Sequence, residues 1–328
     1  MNPRLRTRLC SLLGIEVPIL QAGMGFVARG ELAAAVSQAG ALGVIGGATL
    51  TPEELRAEIR KVRASTDRPF GVDLLFAVVE GRFTSGVEEQ IRVVLDERVP
   101  VLASGLGDPG PVVPQAHALG MKVVSLVGNT RNARKVAESG VDVIVAQGYD
   151  GGGHTGRVGT LALVPAVLDA VDVPVVAAGG IGDGRGLAAA LALGAVGVWM
   201  GTRFVASREA TGHAGYKQAI VRADDEATIR TRCFSGKPAR MLRNRVTAAW
   251  EDPELQARIQ RFPRQFRVMQ EWLGEDPYIA GRFEGKTDVG ALAAGQSSAV
   301  IREVLPAREI VRAIVSEASR ELDRLGAH

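Results

Sequence analysis

One histidine of this sequence stands where it can do chemistry. His154 follows three consecutive glycines in QGYDGGGHTG (147–156). Bare backbone of this kind passes flat beside a planar ligand and presents a single ring over it. An imidazole so placed can act as a general base near neutral pH. The other three histidines have plainer settings: His117 on a helical stretch, His213 in a polar loop and His328 at the terminus. No metal site is expected, because His154 has no second ligand at a short spacing. No G-x-S-x-G elbow is present, and neither Cys10, near the first residue, nor Cys233 stands in a Cys/His pair. So few acids and nucleophiles point to chemistry carried by a cofactor.

Two further glycine clusters follow apolar runs, in VVAAGGIGDGRG (175–186) and VWMGTRF (198–204). Gly179, Gly180, Gly201 and Thr202 there offer close-approaching backbone N–H groups and one hydroxyl, which suits a phosphate monoester held without metal. The plainer reading is a pair of tight turns. Gly180, Gly182, Gly184 and Gly186 also suggest a dinucleotide fingerprint. Their spacing is not G-x-G-x-x-G, however, and no acidic residue ends the next strand, which runs into Trp199-Met200-Gly201-Thr202.

The elements that would position these loops repeat one design. In AVSQAGALGVIGG (35–47), HALGMKVVSLVG (117–128), VAESGVDVIVAQG (136–148) and ALALGAVGVWMG (190–201), a helix ends in Gly, a β-branched run follows, and Gly closes it. Gly40, Gly120, Gly140 and Gly194 fit helix C′ positions. The continuous Val/Ile/Leu runs fit parallel strands buried on both faces. This parse gives strands near 17–22, 42–46, 70–76, 99–104, 122–127, 141–147, 173–178 and 195–200. A helix over 51–64 is capped by Thr51, with Pro52 at its first position and Leu55, Ile59 and Val62 on one face. Eight strand–helix units predict an α/β fold, a (β/α)8 TIM barrel, over a doubly wound open sheet. The phosphate-like loops then follow strands seven and eight, where such barrels hold phosphates.

After about residue 205 the texture changes. Residues 222–272 hold many arginines and two of the three tryptophans, Trp250 and Trp272. Residues 306–325 read as an amphipathic helix, with Ile310, Ile314, Ala318 and Leu322 spaced by four beside Val311 and Val315. The expected organisation is a cofactor-binding barrel over 1–221, a mostly helical inserted lid over 222–290, and a return to the barrel over 291–328.

Composition excludes several classes. The 328 residues are 46% hydrophobic, ample for a large core and unlike a disordered chain. The 40 glycines lack a three-residue period, so no fibre is implied. A net charge of +3 is too mild to suggest nucleic acid as a partner. The apolar runs 9–13 and 186–201 are too short or too interrupted for a signal segment or a membrane span. Two distant cysteines fit a reduced, cytoplasmic protein.

The motifs PILQAGM (18–24), RPFGVDL (68–74), VAQGYDGGGHTG (145–156), PVVAAGGIGDGRG (174–186), MGTRF (200–204) and LAAGQ (292–296) together resemble the FMN-dependent nitronate monooxygenase family, the 2-nitropropane dioxygenases. They run in family order across nearly the whole chain. The resemblance implies a TIM barrel with a mostly helical lid. It implies FMN lying beside Ala22, Gly23 and Met24, met by Asp73, Gln147, Gly152, Gly153 and Ala178. The FMN phosphate would lie on Gly179, Gly180, Gly201 and Thr202, Met200 would also contact the cofactor, and His154 would be the catalytic base. The implied reaction is oxidation of a nitronate or nitroalkane with O2 to a carbonyl compound and nitrite. Two departures stand out: Asp73 where relatives commonly have Asn, and Ala22 where many have Gly or Pro. An acid at position 73 either lowers the flavin's potential or is itself protonated. The stretches 21–47 and 213–225 look particularly like the FMN enoyl-acyl-carrier-protein reductase, and an NADH:quinone reductase shares the motifs. An NADH-dependent reductase is therefore the alternative, with NADH and a second copy of the chain (a homodimer) as further candidate partners. Arg240, Arg243 and Arg245 would then meet phosphates of NADH or a carrier protein; otherwise they form a solvated lid face. A non-redox barrel for a sugar phosphate is a third reading of the glycine loops.

Overall fold

The computed structural model describes residues 2–76, 78, 79, 82, 83 and 86–326; His328 lies outside them. All eight expected strands form: β1 Ile19–Gln21, β2 Gly43–Gly46, β3 Phe70–Phe76, β4 Val101–Gly107, β5 Lys122–Val127, β6 Val143–Gln147, β7 Val175–Ala178 and β8 Val198–Met200. Each pairs in parallel with its neighbours in chain order, and β8 pairs with β1 through Ile19–Val198 and Gln21–Met200. A parallel bridge between Leu20 and Leu42 joins β1 to β2 and closes the ring. The fold is the (β/α)8 TIM barrel.

Helices cover the outside because the intervening sequence caps and patterns them. Helix Pro52–Ser65 starts with a complete capping box from Thr51 and Glu54, and it buries Leu55, Ile59 and Val62. Such a cap contributes about 1 kcal/mol. The four helix-closing glycines, Gly40, Gly120, Gly140 and Gly194, all take φ between +76° and +98°, which an L side chain resists. Helix Ala307–Gly326 returns to the barrel and lies on helix Gly184–Ala192. The two backbones approach closely at Gly184, where a Cβ would stand 2.4 Å from Ala318 N.

Strand side chains alternate between two apolar layers, the period of two expected of a strand. One layer fills the barrel, with Leu20, Val44, Val124, Val145, Val176 and Trp199. The other packs under the helices, with Ile19, Ile45, Val72, Ile144, Val198 and Met200. Helix Arg8–Leu13 contributes Leu9, Cys10 and Leu13 to the inner layer, and Leu9 faces Gly197, just before β8. It therefore closes the end of the barrel where the strands begin. The other end stays open for the loops.

The segment after β8 is not helical throughout. Strands Thr228–Thr231 and Ala239–Leu242 form an antiparallel hairpin. The second of them also pairs with Gly153–His154, matching Ala239 to His154 and Arg240 to Gly153. The sequence hid this hairpin because TIRT and ARML are four residues each and interrupted by arginine. Helices Arg245–Ala249, Pro253–Ala257, Arg264–Leu273 and Pro277–Arg282 follow. They pack around a separate apolar cluster that includes Phe234, Met241, Val246, Trp250 and Met269. Trp272 meets Trp250 edge to face at 5.8 Å. Among the described residues, no helix is long and apolar enough to cross a membrane.

Candidate active site

A cavity of about 500 Å³ opens at the C-terminal ends of the strands, under the segment that follows β8. Its size is typical of a small-molecule site. Of the residues expected at the cofactor, Ala22, Gly23, Met24, Asp73, Gln147, Gly152, Gly153, Ala178, Gly179, Gly180, Gly201 and Thr202 line it, and so does His154. Met200 does not, which corrects the reading of MGTRF. Its side chain belongs to the layer under the helices, and its carbonyl accepts the Ala22 N–H at 2.9 Å. The wall position falls to its neighbour Trp199.

The β1 and β3 ends build one wall around an acid. Asp73 is 6% exposed and sits between Gly23 and Gly105. A Cβ on Gly23 would stand 2.2 Å from the Asp73 Cβ, and one on Gly105 would stand 2.8 Å from both carboxyl oxygens. Two bare positions thus make room for this side chain. Burial pushes its pKa well above 3.8, against a weaker opposing effect of the Gly105 backbone. Its Oδ1 is buried without a hydrogen-bond partner. Of the two alternatives for position 73, the fold supports the protonated acid in the ligand-free state.

The loops after β7 and β8 supply the bare backbone. Gly179 and Gly180 have φ of +97° and +72°. A Cβ on Gly201 would touch only the Ala22 Cβ and the Met24 Sδ, both at 3.6 Å. The Thr202 hydroxyl accepts the Gly295 N–H at 2.9 Å, which ties this loop to LAAGQ and leaves the hydroxyl proton to donate elsewhere. The orphaned oxygen of Asp73, the open face of Gly201 and the side-chain-free Gly151–Gly153 stretch on the cavity wall fit a planar, phosphorylated cofactor.

His154 is fixed from three sides. Its carbonyl accepts the Gln147 side-chain amide at 2.9 Å, its Nε2 lies 2.9 Å from Ser235 Oγ, and its ring meets Phe262 edge-on at 6.2 Å. Ser235 Oγ lies 3.3 Å from the Lys237 carbonyl. With the hydroxyl proton donated there, Ser235 accepts Nε2–H, and Nδ1 is the free acceptor of a neutral ring. Burial, and then the cations Lys237 and Arg282, lower the His154 pKa from 6.5 to about 4. The side chain is nevertheless exposed to the cavity. Water there offsets part of the burial, while both cations act in the same direction.

Sequence reasoning did not find Ser235, Lys237, Arg282, Phe26 or Tyr278. The β1 loop and helix Pro277–Arg282 bring the last three together: Arg282 Cζ lies 5.2 Å from the Phe26 ring and 4.9 Å from the Tyr278 ring. Phe26 itself has φ of +69°, an uncommon conformation for a bulky residue. No signal in the sequence marks this cluster, because its members lie about 250 positions apart.

The remaining candidates fall elsewhere. His117 pairs with Asp142 at 2.8 Å, and His213 accepts the Gly215 N–H as a helix cap. Burial raises both thiols, that of Cys233 to about 12. Among the described residues, no three His, Cys, Asp or Glu side chains converge. Arg240 is not on a solvated face. It is 3% exposed, stacks 4.5 Å from the Tyr149 ring, and donates to Tyr149 O and Thr228 Oγ1. It lines a second cavity of about 780 Å³ with Arg230, Arg243, Asp224 and Asp225. Arg245 is exposed and 3.9 Å from Asp288.

Known proteins resemble the chain over nearly its full length. The nitronate monooxygenase family model matches residues 6–317. The (3aS,4S,5R,7aS)-5-hydroxy-7a-methyl-1-oxo-octahydro-1H-indene-4-carboxyl-CoA dehydrogenase of Rhodococcus jostii is 35% identical, covering 98% of this chain and 98% of its own. The nitronate monooxygenase of Paraburkholderia phytofirmans is 32% identical, covering 97% and 96%. Among solved structures, FabK from Thermotoga maritima superposes with a TM-score of 0.89 at 38% identity, covering 98% of this chain and 99% of that one.

Proposed function

Because this chain belongs to the nitronate monooxygenase family of flavin-dependent oxidoreductases, we propose that it oxidises alkyl nitronates, or the nitroalkanes that give rise to them, to a carbonyl compound and nitrite. FMN is the proposed cofactor and O2 the acceptor. When bound, FMN supplies the electron acceptance that the side chains lack. Gly179, Gly180, Gly201 and Thr202 hold its phosphate, and the wall of Ala22, Gly23, Met24 and Asp73 holds its ring.

One observation carries the reading. A neutral imidazole, His154, faces the same cavity as a buried cation, Arg282. Nδ1 of His154 takes the α-proton when a neutral nitroalkane enters. The nitronate so formed is an anion, and the nearby cations Lys237 and Arg282 oppose its reprotonation by stabilising its negative charge. Ser235 keeps the ring in one tautomer throughout. The aromatic side chains of the lid exclude water from the reacting carbon.

Anaerobic mixing with propyl-2-nitronate tests the reading. The bound flavin should be reduced, without NADH. His154→Asn should slow turnover of neutral nitroalkane far more than turnover of preformed nitronate. An unreduced flavin rejects the reading, and equal losses reduce His154 to positioning.

A second reading is favoured by the identity to the CoA-thioester dehydrogenase and to FabK, 35% and 38%. There the same flavin site serves an acyl thioester with NADH, and the cavity of Arg230, Arg240 and Tyr149 lies beside it. Rapid NADH oxidation with crotonyl thioester or a quinone, and none with nitronates, would select it. We assign residues 1–221 to the barrel, 222–290 to the lid and 291–328 to the return, and place the protein in the cytoplasm.

A further inference from the structure

Arg282 ends helix Pro277–Arg282 and is 8% exposed, yet it lines the cavity. Its Nε donates to Ala291 O at 3.2 Å and its Nη1 to Gly25 O at 3.1 Å. Both partners are neutral carbonyls. Among the described residues, no carboxylate forms an ion pair with it. Of the carboxyl groups on the cavity wall, Asp276 accepts the Tyr278 and Ile279 N–H groups and the Gln270 amide. The other, Asp73, is buried among glycines on the barrel side.

A guanidinium stripped of most of its water and left without a counter-charge is costly to maintain. Three of its five N–H donors remain beyond the two given to carbonyls. The aromatic rings of Phe26 and Tyr278 and the two carbonyl contacts hold it in one place, so the ordering entropy of a long side chain is already lost before a ligand arrives.

We propose that Arg282 is the anchor for the charged head of an anionic substrate, a planar group with two oxygens such as a nitronate or a carboxylate, whose apolar remainder lies along Phe26, Phe266 and Tyr278. Guanidinium–oxyanion pairing is geometrically selective as well as charge-assisted. This rests on the reading that the lid side of the cavity is the substrate side. It adds what that reading leaves open: the site selects a charge, and it does so from the lid.

Arg282 also clamps the β1 loop at Gly25, next to the strained Phe26. The test must separate the two roles. Nitrate is the probe, a planar oxyanion without a reacting carbon. Flavin-loaded wild type should bind nitrate in calorimetry, and nitrate should compete with propyl-2-nitronate. Arg282→Gln should abolish nitrate binding and raise KM for the nitronate by about 10- to 100-fold, with a smaller change in kcat. Its affinities for flavin and for an uncharged ligand, 2-nitropropane, should stay within about twofold of wild type. Arg282→Lys should restore part of the nitrate affinity. Absence of nitrate binding by wild type overturns the proposal. So does an equal loss of nitrate and 2-nitropropane affinity in Arg282→Gln, the signature of a collapsed β1 loop. Nitrate binding that needs Arg282, in a protein whose flavin nitronates do not reduce, would sustain the anchor and reject the nitronate reading. Nitronate turnover with nitrate binding independent of Arg282 would do the reverse.

Discussion

A titration of His154 tests the electrostatics of the site independently of turnover. An unshifted imidazole with pKa 6.5 would be only about 9% neutral at pH 5.5, whereas one lowered to about 4 is about 97% neutral. The difference in base form is roughly tenfold. Water in the open cavity screens part of the shift; with half of it lost, the neutral fraction at pH 5.5 is still about two thirds. The assay is nitrogen NMR of the four imidazoles between pH 4 and 8, with His154→Asn identifying the resonance. The His154 signal should stay in its neutral form below pH 6, and Lys237→Met should move its inflection upward. Neutral nitroalkane turnover should likewise keep its rate below pH 6. The folded ring binds its proton less readily than the unfolded chain, so His154 costs stability as the pH falls from 6.5 toward 4, and none above 6.5. An inflection between pH 6 and 7 in the ligand-free protein would refute this account of the cavity.

Three further substitutions probe the proposed cofactor site. Asp73 has its folded pKa raised, so wild type loses stability as the pH rises above the unfolded value of 3.8. Asp73→Asn removes that loss: by calorimetry its ligand-free melting temperature should exceed that of wild type at about pH 8 and approach it at about pH 4. A gap independent of pH would rule out the neutral acid. Gly201→Ala should leave ligand-free stability within about 0.5 kcal/mol, because its Cβ meets only ordinary contacts at 3.6 Å, yet weaken flavin binding. Gly179→Ala should cost about 1–2 kcal/mol in thermal melts from its left-handed backbone alone, and more because its Cβ would stand 2.8 Å from Thr160 Oγ1. Normal flavin affinity in Gly201→Ala would argue that the phosphate lies elsewhere.

The barrel was legible because its signals are local. A parallel strand buried on both faces must be a continuous apolar run, and a helix that ends before it needs a left-handed residue, so Gly-run-Gly recurs four times without knowledge of tertiary contacts. The glycine loops and His154 were legible for the same reason. The misplacement of Met200 was avoidable: in a strand read Val198-Trp199-Met200, alternate side chains face opposite ways, and Trp199 faces the cavity. The hairpin from Thr228 to Leu242 was not legible, because arginines break its alternation and it is stabilised by pairing to Gly153–His154, eighty residues away. Arg240 looked like a surface residue because nothing near it in sequence announces Tyr149 as its cover. Arg282 was invisible for a related reason. Its partner carbonyl at Gly25 lies 257 positions upstream, and the meaning of the charge depends on its having no ion-pair partner among the described residues.

The pairing of Gly153–His154 with strand Ala239–Leu242 has a bearing on how such proteins diversify. The imidazole belongs by chain order to the barrel but by hydrogen bonding to the edge of the antiparallel sheet that follows β8, through Ala239 and Arg240, and its ring leans on Ser235 of that same segment. A graft that exchanges only the segment after β8 would therefore carry away half of the histidine's mounting and leave the other half behind. The transferable unit is discontinuous: the hairpin together with the loop from Gly151 to Thr155. Within such a lineage, a change of substrate and a retuning of the base are expected to arrive together, as one inherited module rather than two independent events.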